Sequence, residues 1–364
     1  MRPGEGKRKG ENVAVAQCPA SCGELIQGWI LGSEKLVSCP VDWYSTVEVE
    51  TGVPRKDERP LSRAMVDQLL AHWGYPPALS QQIRITLHST IPVAKGMASS
   101  TADIAATAVA TAHHLGHLLD EPTLARLCVA LEPTDSTLFR QLTLFDHNTA
   151  ATQIACPPPP ALDLLVLESP LTLRTTDYHQ LPREPGLLAN ASRLQLAWEK
   201  VQQACHCGNP QLLGEAATIS AIASQQLLPK PGFDALLDLV ESAGLYGLNV
   251  AHSGSVVGLL LDRRRHDVEF LQWRLAESDI AAHWPQQHLL AMVPGGRHPA
   301  VSLRPAPGAT PPAAGRFPRR CGSPRGNSGY PAPGSWRSCG SAHAGAAGHI
   351  AGQNRLCRSA RTGS

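Results

Sequence analysis

Apolar and polar residues alternate along QIRITLHS, residues 82 to 89, which puts Ile83, Ile85 and Leu87 on one side and predicts a half-buried strand. VDWYSTVEV, residues 41 to 49, reads as a second strand with Val47 and Val49 sharing a face. Upstream, residues 12–17 alternate only weakly, and CPASCGELIQG, residues 18 to 28, breaks the alternation and reads as a turn. The period then changes to that of a helix over Leu61 to Trp73, where Leu61, Ala64, Met65, Leu69 and Ala71 fall near one side. A longer helix is predicted from Ser100 to Leu119. Its Ala102, Ala105, Ala106, Val109 and Ala112 are small enough to lie close against a sheet. Another covers Glu121 to Leu131, with Pro122 in its first turn.

After the stiff connector Cys156-Pro-Pro-Pro-Pro160 the pattern resumes with a strand in LDLLVLES. Helices follow at Leu188 to Cys205, Pro210 to Leu227 and Phe233 to Ala243. GLNVAHSGSVVGLLLD, residues 247 to 262, then places a glycine-serine turn ahead of an apolar strand. Strands and helices alternate on both sides of the connector, the mark of a mixed α/β (α+β) architecture. The expected domains are 1–156 and 161–298.

Composition changes the picture mainly at the C-terminal end. The chain has 364 residues and a formal net charge of +2, but residues 301–364 carry nine arginines and no aspartate or glutamate, so the rest is net acidic. An acidic body argues against nucleic acid as the partner. Beyond residue 298 the sequence is dense in Pro, Gly, Ala, Ser and Arg without a hydrophobic period, and disorder is expected there. The alternative is a shifted reading frame, common enough in GC-rich coding sequence to give this mixture. Ten cysteines are scattered without paired metal-ligand spacing, which favours reduced thiols and a cytoplasmic protein over a disulfide framework or a zinc site. The N-terminal segment lacks the apolar run of a signal peptide and no run approaches the length of a membrane span, so no membrane partner is expected.

Candidate chemistry concentrates in PVAKGMASSTA, residues 92 to 102, between the strand and the long helix. It is neither a Walker loop nor a dinucleotide fingerprint. Gly96 and Ala98 still let backbone N–H groups approach a ligand closely. A helix start offers about four unpaired N–H groups and the positive end of its dipole. Ser99, Ser100 and Thr101 add hydroxyls able to bond phosphate or ligate magnesium. The plainer reading is equally open at this level: Ser or Thr is an ordinary helix N-cap. Two histidine-bearing clusters, His113, His114 and His117 within the long helix and Cys205-His206-Cys207 at a helix end, lack the partners of a metal site.

The loop resembles the P-x-x-x-G-L-G-S-S-A-A motif of the GHMP kinases, with Met97 for leucine, Ala98 for the second glycine and Thr101 for alanine. Ala98 permits close approach but is expected to deny a positive φ. CPASCGELIQG resembles the family's N-terminal substrate-side motif, and VAHSGSVVGLLL, residues 250 to 261, its C-terminal glycine-rich loop. The three motifs stand in the family's order, and the resemblance spans roughly residues 11 to 297.

It implies a two-domain fold with the nucleotide cleft between an N-terminal S5-like and a C-terminal ferredoxin-like domain. It further implies ATP and magnesium as cofactors, with Pro92, Val93, Ala94, Lys95, Gly96, Met97, Ala98, Ser99, Ser100 and Thr101 around the triphosphate. Ser100 and Glu132 are the implied metal ligands and Asp135 the catalytic base, although Glu132-Pro-Thr-Asp135 also reads as a helix stop and a cap. Lys95 either touches phosphate or is solvated. Cys22, Gly23, Glu24, Ser253, Gly254 and Ser255 fall on the substrate side, with Glu24 either a partner for a substrate ammonium or a surface charge. The resemblance implies free L-threonine as the acceptor, phosphorylated on its side-chain hydroxyl in the making of the cobalamin linker. Homoserine, another small alcohol, or a catalytically silent metabolite-binding regulator are the alternatives.

Overall fold

A computed structural model describes residues 13–171 and 182–296, together with the backbone of 298–299. The expectations of disorder or a shifted frame after residue 298 lie outside the described residues.

The N-terminal half is organised by two long antiparallel strands, β1 (Ala14–Ile30) and β2 (Ser33–Thr51), joined by a tight turn. β2 carries β3 (Ile83–Ser89) on one stretch and β4 (Thr143–Phe145) on another, and β4 pairs with β5 (Gln153–Ala155). Beyond the 156–160 connector come β6 (Asp163–Glu168), β7 (Gly247–Val250), β8 (Val256–Leu261) and β9 (Gln286–Ala291). The spatial order is β5-β4-β2-β1-β7-β8-β6-β9, and a two-residue β10 (298–299) also pairs with β1. Every described pairing is antiparallel, and the two halves join through the register pair Glu24↔Val250, the isolated bridge Val41↔Met292 and the short β1–β10 pairing.

Residues 18–28 are therefore strand, not turn. The reading failed because β1 is irregular: its register shifts between Pro19 and Ala20, between Ser21 and Glu24, and between Glu24 and Ile26. At Gly23 (φ +55°) a Cβ would lie 2.5 Å from the Val250 carbonyl oxygen, so the strand bulges where the neighbouring backbone crowds it. Pro, Gly and Ser here mark bulges in a buried strand rather than an exit from the sheet.

Helix α1 (Pro60–His72) begins on proline and buries Met65, Val66, Leu69 and Leu70 along one face. Helix α2 (Ser99–His114) is buried at every position from Thr101 to Ala112. Its small side chains let it run between β1 and β2 on one side and α1 on the other. It stops five residues earlier than predicted, because Gly116 (φ +76°) closes it. The N–H groups of Gly116 and His117 donate to the carbonyls of His113 and Ala112. His117 thus lies outside the helix, stacked on Trp73 with ring centroids 4.2 Å apart. Helix α3 (Glu121–Val129) is capped by Asp120, whose carboxylate accepts from the Thr123 N–H at 2.7 Å.

On the C-terminal side the helix predicted from Leu188 is two, α4 (Glu184–Ala189) and α5 (Ala191–Cys207), broken at Asn190. Helices α6 (Pro210–Ser224), α7 (Phe233–Ser242) and α8 (Val268–Ala276) complete the described set. Among the described residues no helix is long and apolar enough to cross a membrane, and the described cysteines are free thiols.

Candidate active site

The loop before α2 has positive φ at alternate residues, Ala94 (59°), Gly96 (78°) and Ala98 (56°). Such alternation turns successive backbone N–H groups toward one side, a concave arrangement suited to anions. The expectation that Ala98 would refuse this conformation is wrong. It costs an L-residue roughly 1–2 kcal/mol, and the fixed loop imposes it. Ala98 is also the N-cap of α2, and no side chain caps the helix. The serines begin the helix instead of capping it, so the first-turn N–H groups are left facing outward. That sets aside the ordinary N-cap reading of Ser99 and Ser100.

Three contacts hold the loop from behind. The Ser21 N–H donates to the Met97 carbonyl at 3.1 Å, the Ser255 N–H donates to the Lys95 carbonyl at 2.9 Å, and Gly96 rests on Gly254. A Cβ on Gly254 would lie 2.3 Å from the Lys95 carbonyl oxygen, so the two glycines are what let these turns touch.

In front of the loop lies a cavity of about 710 Å³. Val93, Ala94 and residues 96–101 line one side, and Glu24, Glu132, Asp135 and Ser253 are on its wall. Pro92 and Lys95 do not line it. Lys95 is neither solvated nor turned to the cavity: it is buried, with its ammonium on the carbonyls of Ser169 and Leu171. Cys22 is wholly buried and Gly23 serves the bulge, while the Ser255 hydroxyl donates to the Leu171 carbonyl at 2.6 Å.

Burial dominates the electrostatics. Asp135 is pushed up to about 7, first by loss of solvent and then by the nearby Glu24 charge, against hydrogen bonds from Thr101 and Ser38. Thr101 Oγ1 lies 3.3 Å from Asp135 Oδ2, and Ser38 and Ser136 exchange two 2.9 Å bonds that fix the segment after Asp135 to β2. Burial also raises Glu132, partly offset by its hydrogen bond with the Ser100 side chain. Glu24 accepts from both the N–H and Nδ1 of His252 at 2.9 Å, and His252 Nε2 meets Ser220 Oγ at 3.1 Å. Lys230 is buried with its ammonium 2.7 Å from the Gly254 carbonyl, and burial brings it down to about 8. Among the described residues, those lining the cavity include three carboxylates and no lysine or arginine.

Gln27, Leu36, Thr134 and His147 also line the cavity, and His252 and Lys230 support it, none of them singled out from sequence. His252 stands inside VAHSGS, next to a residue that was chosen. Lys230, between two prolines, gave no signal at all. The described residues contain no group of three or more His, Cys, Asp or Glu able to hold a metal by themselves. The Ser100 hydroxyl and Glu132 carboxylate do face each other, an all-oxygen pair suited to a hard cation that takes its other ligands from phosphate and water.

Comparison with known proteins agrees with this geometry. Residues 61–139 match the GHMP kinases N terminal domain. The chain is 74% identical over 284 residues to the L-threonine kinase of Citrobacter freundii, covering 78% of this chain and 99% of that one. It is 73% identical over 288 residues to the L-threonine kinase of Salmonella typhimurium, covering 79% and 96%. Among solved structures its fold is similar to homoserine kinase from Cytophaga hutchinsonii, with TM-score 0.57 and 16% identity over 81% of this chain and 99% of that one. Mevalonate kinase from Methanococcus jannaschii gives TM-score 0.55 and 14% identity over 79% and 99%. On its sequence, its fold and its three motifs, the chain belongs to the GHMP kinase family.

Proposed function

We propose that this protein is a cytoplasmic L-threonine kinase, which transfers the γ-phosphoryl group of ATP to the side-chain hydroxyl of free L-threonine and so supplies the aminopropanol linker of cobalamin. The observation that carries the reading is the uncapped start of α2, behind a loop of alternating positive φ, opening on a cavity walled by carboxylates. The identity to two L-threonine kinases chooses the acceptor.

Phosphoryl transfer asks for positioning and for charge balance more than for covalent help from the protein. Backbone N–H groups of residues 96–101 receive the triphosphate, and the α2 dipole favours its charge. Ser100 and Glu132 are the residues that would hold magnesium, which when bound neutralises charge on the phosphates. Asp135 takes the proton of the threonine hydroxyl as that oxygen attacks phosphorus. A carboxylate at about 7 suits this task near neutral pH, where it is both available and basic. Glu24 receives the substrate ammonium, and the N-terminal and C-terminal halves flank the nucleotide, with Ser253 contributed by the second half.

ADP release measured over a panel of amino acids tests the assignment. Turnover specific for threonine is expected, with homoserine and serine well below it. ATP binding with no turnover on any acceptor would refute it in favour of a silent regulator.

A further inference from the structure

A lysine within a phosphate-binding motif invites the assumption that it binds phosphate. The geometry points elsewhere. Lys95 and Glu168 are each 8% exposed, and Lys95 Nζ lies 3.4 Å from Glu168 Oε1 while donating to the Leu171 carbonyl at 3.1 Å and to the Ser169 carbonyl. The Ser255 hydroxyl reaches the same Leu171 carbonyl at 2.6 Å. His288 Nε2 approaches the other oxygen of Glu168 at 3.4 Å. The end of β6 therefore joins two turns that face the nucleotide: the phosphate loop through Lys95, and the Ser253–Ser255 turn through Ser255. The Lys95 carbonyl closes the circuit by accepting the Ser255 N–H at 2.9 Å.

We propose that Lys95 is a positioning residue: its buried ammonium, braced by Glu168, pins the phosphate loop to the end of β6 and so holds the loop's N–H groups in register for ATP. The proposal rests on the nucleotide-binding reading of the loop. It follows from the direction of the side chain, since an ammonium held by two carbonyls and a carboxylate behind the loop is not available in front of it. Its charge is needed because Glu168 is itself buried. Removing either partner leaves the other uncompensated, and the loop shifts to rehydrate it. The alternating φ values of residues 94–98 are the conformation that such a shift would lose.

Steady-state kinetics of the full chain, with ATP and threonine varied separately, tests this. Taking one lost charged hydrogen bond as about tenfold, Lys95→Met raises KM for ATP by about that factor and KM for threonine by less than about twofold. Lys95→Arg, which keeps the charge and the donors, recovers part of the loss. Glu168→Gln raises KM for ATP in the same direction and carries the test alone should Lys95→Met not fold. The sign of the Glu168→Gln effect is what discriminates. Were Lys95 a phosphate ligand, releasing it from Glu168 would lower KM for ATP. That result, or equal rises in both KM values for Lys95→Met, would overturn the proposal. Calorimetric titration with a non-hydrolysable ATP analogue reads the same difference without turnover, so a wild type that binds nucleotide yet phosphorylates no threonine would sink the functional assignment and leave this test standing.

Discussion

The loop before α2 and the carboxylates beside it line one cavity and are made by opposite means. The loop works through its backbone: small residues, three positive φ values and an uncapped helix. The wall works through side chains whose charge is withdrawn from water, with Asp135 and Glu132 both raised by burial. Changes on the first side should therefore act through shape, on nucleotide affinity and stability. Changes on the second should act through protonation, on turnover.

The largest effect expected is at Asp135. Asp135→Asn should lower kcat by about 10²–10⁴-fold, the range for loss of a general base. In the wild type, kcat/KM, which reports the free enzyme, should rise with pH through about 7 as the carboxyl ionises, and this limb should vanish in the variant. The stability effect has the opposite sense. A carboxyl raised in the folded state favours folding at low pH and loses that advantage as pH rises through its folded value. Asp135→Asn should accordingly gain more in Tm at pH 8 than at pH 4, relative to wild type, and melting curves at the two pH values check it. Next is Glu132→Ala, expected to cut turnover by about 10²–10³-fold with the fold intact. A magnesium titration of the residual rate should show a weakened metal dependence.

On the loop side, Gly254→Ala forces a Cβ against the Lys95 carbonyl and should cost about 1–3 kcal/mol of stability. Denaturant unfolding measures that cost, and KM for ATP should rise more than kcat falls. The smallest effect is Ala98→Gly, which relieves the left-handed alanine and should stabilise by up to about 1 kcal/mol with kcat nearly unchanged. Should Gly254→Ala change kcat alone, or Asp135→Asn change only KM for ATP, the division between shape and charge would not hold.

How much of this was legible in the sequence follows the same division. The start of α2 and its small-residue face were visible, since each depends on local spacing, whereas Glu132 and Asp135 were marked out by the family resemblance, their spacing alone reading equally as a helix stop and a cap. The irregular strand over residues 18–28 was not, because its bulges exist only where Val250 and Ala251 crowd Gly23. The direction of Lys95 depends on where the end of β6 comes to rest, a tertiary fact that no local pattern encodes. Ala98 shows the reverse: intrinsic preference argued against a positive φ, and contacts to Ser21 and Ser255 on either side of the loop overrode it. His252 and Lys230 likewise owe their importance to partners more than 20 residues away in sequence, Glu24 and Gly254.

The most direct test of the central claim is amide hydrogen exchange of the full chain with and without an ATP analogue and magnesium. The arrangement described here predicts that protection rises most over residues 96–101, at the amides opening α2, with a smaller change near Glu132. Unchanged exchange at those amides alongside strong nucleotide-dependent protection elsewhere would contradict it.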